Sequence, residues 1–139
     1  MVDRYLEHLA QVPLFRGSSK SDLRKIAQAT DEIDVEAGRE LISEGDVGRE
    51  AFVIVAGEAS VQRGGQEIAT LVAGDPFGEI ALLDRAPRNA TVVAKTPMTV
   101  LVLSQSAFHG LLAELPDFSR TIMAALASRL REKDKELIG

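Results

Sequence analysis

The 139-residue chain is 45% hydrophobic and 27% charged, a globular composition, and its length suits one substantial core rather than two. A net charge of −5, 4% aromatics and no tryptophan argue against a nucleic-acid partner, which needs a positive footprint or a stacking platform. With no cysteine and only His8 and His109, disulfides, thiolate chemistry and a histidine-rich metal cluster are excluded.

The opening MVDRYLEHLAQ carries charge too early for a signal peptide, and no apolar run approaches membrane length, so a soluble cytoplasmic module is expected, without direct membrane insertion. VPLFRG breaks at Pro13 and Gly17 around two apolar residues, as a short helix or turn plugging into a core would. SSKSDLRKIAQAT reads as a helix, with Leu23, Ile26 and Ala27 on one face and Ser19 and Asp22 at capping-box spacing.

From Asp31 the period changes to that of strands. DEIDVEAG alternates, RELISEG follows, and EAFVIVAGEASVQR is a long β-rich run interrupted at Gly57. Gly64-Gly65 suits a two-residue hairpin turn with IATLVAG as the return strand. NATVVA and MTVLVLS flank a turn at Thr96-Pro97. Short strands punctuated by glycine predict an antiparallel sandwich or jelly-roll barrel.

Helix returns after Ser104. SQSAFHGLLAEL stops at Pro116, where a second helix restarts with proline at its first position and an apolar stripe of Phe118, Ile122, Ala125, Leu126 and Leu130. REKDKELIG is a solvated charged tail in which Leu137 and Ile138 hint at helix continuation or pairing. The fold class predicted is mainly β with flanking helices: an antiparallel jelly-roll barrel with N-terminal helices, one short helix in its loops and C-terminal helices. The whole of 1–139 is expected to be a single domain, divided as 1–30, 31–103 and 104–139.

One stretch does not fit a plain core. FGEIALLDRAPRNATVVA, from Phe77 to Ala94, places Glu79 and Arg88 among apolar residues. Phosphate sites built without metal combine amides at a helix start with an arginine, and GDPFGEIALLD followed by APRNATVVA offers both. Gly74 and Gly78 allow tight turning, a carboxylate such as Glu79 suits a sugar hydroxyl or diol, and one guanidinium matches one phosphodiester charge. No GxxxxGK[ST] is present for a triphosphate.

FGEIALL…PRNATV resembles the phosphate-binding cassette of the cyclic nucleotide-binding domain family, FGE-x-AL followed by R-x-A-[ST], over 77–91. This is the module of cAMP-dependent kinase regulatory subunits, catabolite-activator-type regulators and cyclic-nucleotide-gated channels. AGRELISEGDVGREAFVIVAGEASV resembles the family's upstream pattern, with Gly38, Glu44, Gly45, Asp46, Gly48, Phe52, Ile54 and Gly57 in place. The similarity runs from about Leu9 to Leu130.

The resemblance implies a cyclic nucleotide sensor with no catalysis and no cofactor. Its ligand is expected to be cAMP, with cGMP the alternative. Glu79 would accept from the ribose 2′-OH and Arg88 would bind the cyclic phosphate. Phe77, Gly78, Ile80, Ala81 and Ala90 would surround the sugar-phosphate. Asn89 stands where the family often has alanine or threonine, which leaves the base preference open. A residue of the final helix often caps the base in this family, and Arg129 is the candidate, with Leu130 beside it. Ligand would draw the cassette inward and swing the last helix about Leu115-Pro116, passing the signal to an effector domain or protein.

Each charge has a plainer reading. Glu79 and Arg88 could form a structural salt bridge, making the chain a degenerate, ligand-free interaction module. Glu44 and Asp46 read as turn residues and Asp84 and Arg85 as loop charges. A jelly-roll metal oxygenase would need more histidines, and a helix-turn-helix regulator more chain.

Overall fold

The computed structural model describes residues 5–138, with side chains from 5 to 132, so the expectations for the tail beyond Glu132, Leu137 and Ile138 included, fall outside the described side chains. Helix α1 (Leu6–Ala10), a 3-10 turn (Pro13–Phe15) and α2 (Lys20–Ala29) lead into eight strands. Ser19 caps α2 as expected, its hydroxyl accepting from Asp22 N at 3.0 Å.

The strands are β1 (Asp31–Val35), β2 (Glu40–Ile42), β3 (Glu50–Ala56), β4 (Ala59–Arg63), β5 (Gln66–Leu71), β6 (Pro76–Phe77), β7 (Thr91–Ala94) and β8 (Met98–Ser104). They form two antiparallel four-stranded sheets, ordered β1-β8-β3-β6 and β2-β7-β4-β5. The Gly64-Gly65 hairpin joins β4 to β5 as predicted. Helices α3 (Gln105–Glu114) and α4 (Pro116–Ile138) follow, α4 starting at the proline the sequence marks.

The central strands of the first sheet, β3 and β8, are buried on both faces, which is why they are nearly continuous apolar runs. Ala51, Val53, Leu101 and Leu103 point into a helical core with Leu9, Leu14, Phe15, Ile26 and Phe108. Phe52, Ile54, Val100 and Val102 point into a second core with Val35, Phe77, Val92 and Met98 from both sheets. The register sets Phe52 opposite Val102 and Ile54 opposite Val100. In contrast, β5 is almost wholly exposed.

The short helix expected in GEIALLD is present as a four-residue 3-10 helix, Glu79–Leu82, entered from Gly78 in the left-handed region at φ 72°. One local expectation changes. Of the α4 stripe, Phe118 and Ile122 are buried and Ala125 and Leu126 partly so, but Leu130 is 67% exposed. By that turn of the helix the core it packed on has ended.

Candidate functional site

The segment from Phe77 to Ala90 is anchored at both ends. At its start, Phe77 pairs with Phe52 of β3, and the two rings stack 4.8 Å apart with planes 9° from parallel. Ala81 and Leu82 are buried, and Gln105 Nε2 donates to Ala81 O at 3.0 Å, tying the 3-10 turn to the first residue of α3. At its far end, Arg88 N donates to Asp46 O at 2.7 Å and Gly45 N donates to Arg88 O at 2.8 Å. Val47 bridges Pro87 alongside. The SEGDVG loop is therefore the clamp that fixes where Arg88 leaves the backbone. Glu44 belongs to this scaffold: its amide donates to Thr91 Oγ1 and its Oε1 accepts from Gly64 N.

Between these anchors lies an open cleft of about 410 Å³, within the range of small-ligand sites. Phe77, Gly78, Glu79, Ile80, Ala81, Arg88, Asn89 and Ala90, all singled out in the sequence, line it together with Asp84. Ile42, Val61, Leu71 and Val92 from the second sheet give it an apolar wall. Arg129 does not line it.

The two central charges do not pair with each other. The Arg88 guanidinium donates through Nη2 to Glu50 O at 2.8 Å and through Nη1 to Gly78 O at 3.2 Å. Two carbonyls thus fix the fork and leave further N–H groups for another acceptor. Burial lowers the Arg88 pKa from its ordinary value, and the Glu50 carboxylate opposes that shift. A guanidinium in this position gains from an anion placed beside it.

Glu79 pairs instead with Arg129 of α4, Oε1 to Nη2 at 2.7 Å, its side chain 16% exposed. The other oxygen, Oε2, is buried with no hydrogen-bond partner. An orphaned buried acceptor costs about 1–3 kcal/mol, which a donor entering the site would recover. The salt bridge weighed between Glu79 and Arg88 is thus replaced by two separate arrangements, one on each charge.

Other positions are placed as follows. The Ala81 amide is engaged in closing the turn on Gly78 O at 3.2 Å, so Ala81 offers close approach. Ile80 is 47% exposed at the cleft. Asn89 is exposed, and its carbonyl accepts from Arg63 Nε at 2.9 Å. Among the described residues, no group of three or more His, Cys, Asp or Glu could hold a metal ion, and no helix is long and apolar enough to cross a membrane.

A family model, the cyclic nucleotide-binding domain, matches residues 32–114, a span that contains the whole cassette and its clamp. The chain belongs to the cyclic nucleotide-binding domain family. Within that family, it is 42% identical over 117 residues to the cAMP-dependent protein kinase regulatory subunit of Eremothecium gossypii, covering 84% of this chain and 26% of the relative. The chain spans about a quarter to a third of the length of the curated relatives it matches.

Among solved structures, the N-terminal domain of a transcriptional regulator from Streptomyces coelicolor superimposes with a TM-score of 0.87 at 27% identity, covering 94% of each chain. The regulatory domain of Toxoplasma gondii PKA, solved with cAMP, gives 0.73 at 32% identity over 79% of this chain and 44% of that one.

Beside the apolar wall, three residues that hold Arg88 and the 3-10 turn in place around this cleft escaped sequence reasoning. The Glu50 backbone carbonyl has no side-chain signature. Gly48 stood in the upstream motif, but the guanidinium it makes room for lies 40 residues on. Gln105 looked like the first residue of a helix and nothing more.

Proposed function

We propose that this chain is a cyclic nucleotide sensor for cAMP, with cGMP the alternative ligand. The observation that carries the reading is that one cleft is lined both by Arg88, whose guanidinium is pre-oriented by two carbonyls, and by Glu79, whose buried Oε2 lacks a donor. A cyclic ribose phosphate supplies the counterpart of each: a singly charged phosphodiester for Arg88 and a 2′-hydroxyl for Glu79 Oε2. The base then lies against the apolar wall of Ile42, Val61, Leu71 and Val92, with Asn89 at the rim to select between purines. Regulatory-subunit relatives and a neighbour solved with cAMP support this choice of ligand.

The module acts without catalysis or cofactor. Its two sheets are the walls of an antiparallel jelly-roll barrel, and 1–139 works as a single cytoplasmic unit that signals to an effector protein or domain. Binding biases α4 between two positions about Leu115-Pro116. A ligand shifts that equilibrium only by its difference in affinity for the two states, about 1–3 kcal/mol in typical coupled systems.

Glu79→Ala tests the reading. It should lower the affinity for cAMP while leaving that for 2′-deoxy-cAMP nearly unchanged, both read by equilibrium titration. Equal losses for the two ligands would remove Glu79 from ribose recognition.

A further inference from the structure

A second groove, of about 800 Å³ and open to solvent, runs between α4 and the segment around the Pro13–Phe15 turn. It shares no lining residue with the nucleotide cleft. One wall is Pro13, Arg16 and Gly17, and the other is the α4 face from Arg120 to Glu132. The two walls are joined beneath, where Phe15 and Phe118 are buried with ring centres 5.7 Å apart. The groove is therefore formed before any partner arrives, which spares the cost of ordering it.

Its charge is opposite to that of the molecule. Four arginines (Arg16, Arg120, Arg129 and Arg131) line it against one acid, Glu132, in a chain of net charge −5. Arg129 is held by Glu79, and Arg120 by Asp117, although the Arg120 side chain is 71% exposed. Arg16 and Arg131 are exposed and have no ion-pair partner among the described residues. Between the arginines α4 presents only Thr121, Ala124, Ala125 and Ser128, so nothing larger than a threonine keeps a second backbone away from the helix.

We propose that this groove is a docking site for a short acidic segment of a partner protein, bound extended along α4 with its carboxylates on Arg16, Arg120 and Arg131. The α4 face from 120 to 132 is about 18 Å long, a span of about five or six extended residues. A guanidinium takes a carboxylate in bidentate fashion, and a groove lined by one sign of charge concentrates ligands of the other. The concave form favours a peptide over a lipid surface, because a flat anionic membrane meets the rim arginines and leaves the small-residue floor between them empty. Nothing in this site depends on what the nucleotide cleft holds.

Titration of the isotope-labelled chain with acetylated hexaglutamate, read by calorimetry and by backbone amide shifts, tests the site. Saturable one-to-one binding is expected, with the shifts concentrated at residues 13–17 and 120–132. Arg16→Glu/Arg131→Glu should weaken it at least about tenfold, since each reversal turns an attraction into a repulsion. Lys25→Glu/Arg39→Glu makes the same change of charge at two exposed positions outside the groove. It should weaken binding by less than about threefold, because solvent screens charges at that remove. Ala124→Phe, which fills the groove without altering charge, should also weaken binding, and thermal melts establish that each variant is folded. Equal losses in the two charge-reversed variants would mean bulk attraction alone and overturn the site, as would a folded wild type that does not bind the peptide. If vesicles of phosphatidylglycerol and phosphatidylcholine bind through Arg16 and Arg131 while hexaglutamate does not, the surface belongs to a membrane and the peptide site is overturned.

Discussion

Gly48 and Arg88 exclude any side chain between them: a Cβ built on residue 48 would lie 2.3 Å from Cζ of Arg88. The second glycine of GDVG is therefore a space requirement of the guanidinium, because the Arg88 fork lies across the backbone there on its way to Glu50 O. Gly48→Ala should leave the melting temperature within a few degrees, since the atoms it strikes belong to a side chain able to move. Nucleotide affinity should fall at least about tenfold, because the displaced fork no longer faces the cleft. Titration and thermal melting of the same sample separate the two effects, and a large loss of stability with intact affinity would contradict this reading.

Arg88→Leu should cost about 2–4 kcal/mol of cAMP binding, since it leaves the ligand's phosphate without its cation. Arg88→Lys should recover little of the loss. An ammonium is a point charge and cannot span Gly78 O and Glu50 O as the planar fork does. Affinity of the lysine variant equal to wild type would show that charge alone suffices.

Gln105 carries the contact between α3 and the cassette through Ala81 O. Gln105→Ala should cost about 1 kcal/mol by leaving that carbonyl unpaired. Gln105→Glu should cost more, because it sets a carboxylate against the carbonyl in place of a donor. Urea unfolding gives the order of the two, and the reverse order would show that the glutamine amide is not what secures the turn.

Phe118 is fully buried between Phe15 and Phe108. Phe118→Ala should destabilise the fold by about 3–5 kcal/mol, the range for removing a large buried aromatic. Because Arg129 reaches Glu79 only when α4 is seated, the same substitution should raise hydrogen exchange around residue 129. A destabilised fold with unchanged exchange there would mean that α4 is held by other contacts.

Local rules made much of the fold legible. Ser19 announced the start of α2, Gly64-Gly65 the β4–β5 turn and Pro116 the start of α4, because capping, turn geometry and the missing proline donor act within a few residues. The partition into two sheets was not legible: β3 pairs with β8 across 43 to 54 residues, and apolar alternation does not name a partner. The short cassette helix was legible, but its 3-10 form, entered from a left-handed glycine, was not.

The cleft residues from Phe77 to Ala90 were readable because they are one contiguous motif. How the charges pair was not. Glu79 and Arg88 are nine positions apart and suggested each other, yet each found its partner through tertiary placement, Arg88 on the carbonyls of Glu50 and Gly78 and Glu79 on a helix docked by Phe118.

The central claim is tested most directly by calorimetric titration of the purified chain with cAMP and, separately, cGMP. The account predicts saturable one-to-one binding of at least one of them at micromolar concentration or tighter (on the order of −8 kcal/mol), with the stronger ligand revealing what Asn89 selects. A folded chain that takes up neither nucleotide would contradict it, and would make the Glu79–Arg129 pair and the carbonyl-bound Arg88 parts of a scaffold that serves protein contacts alone.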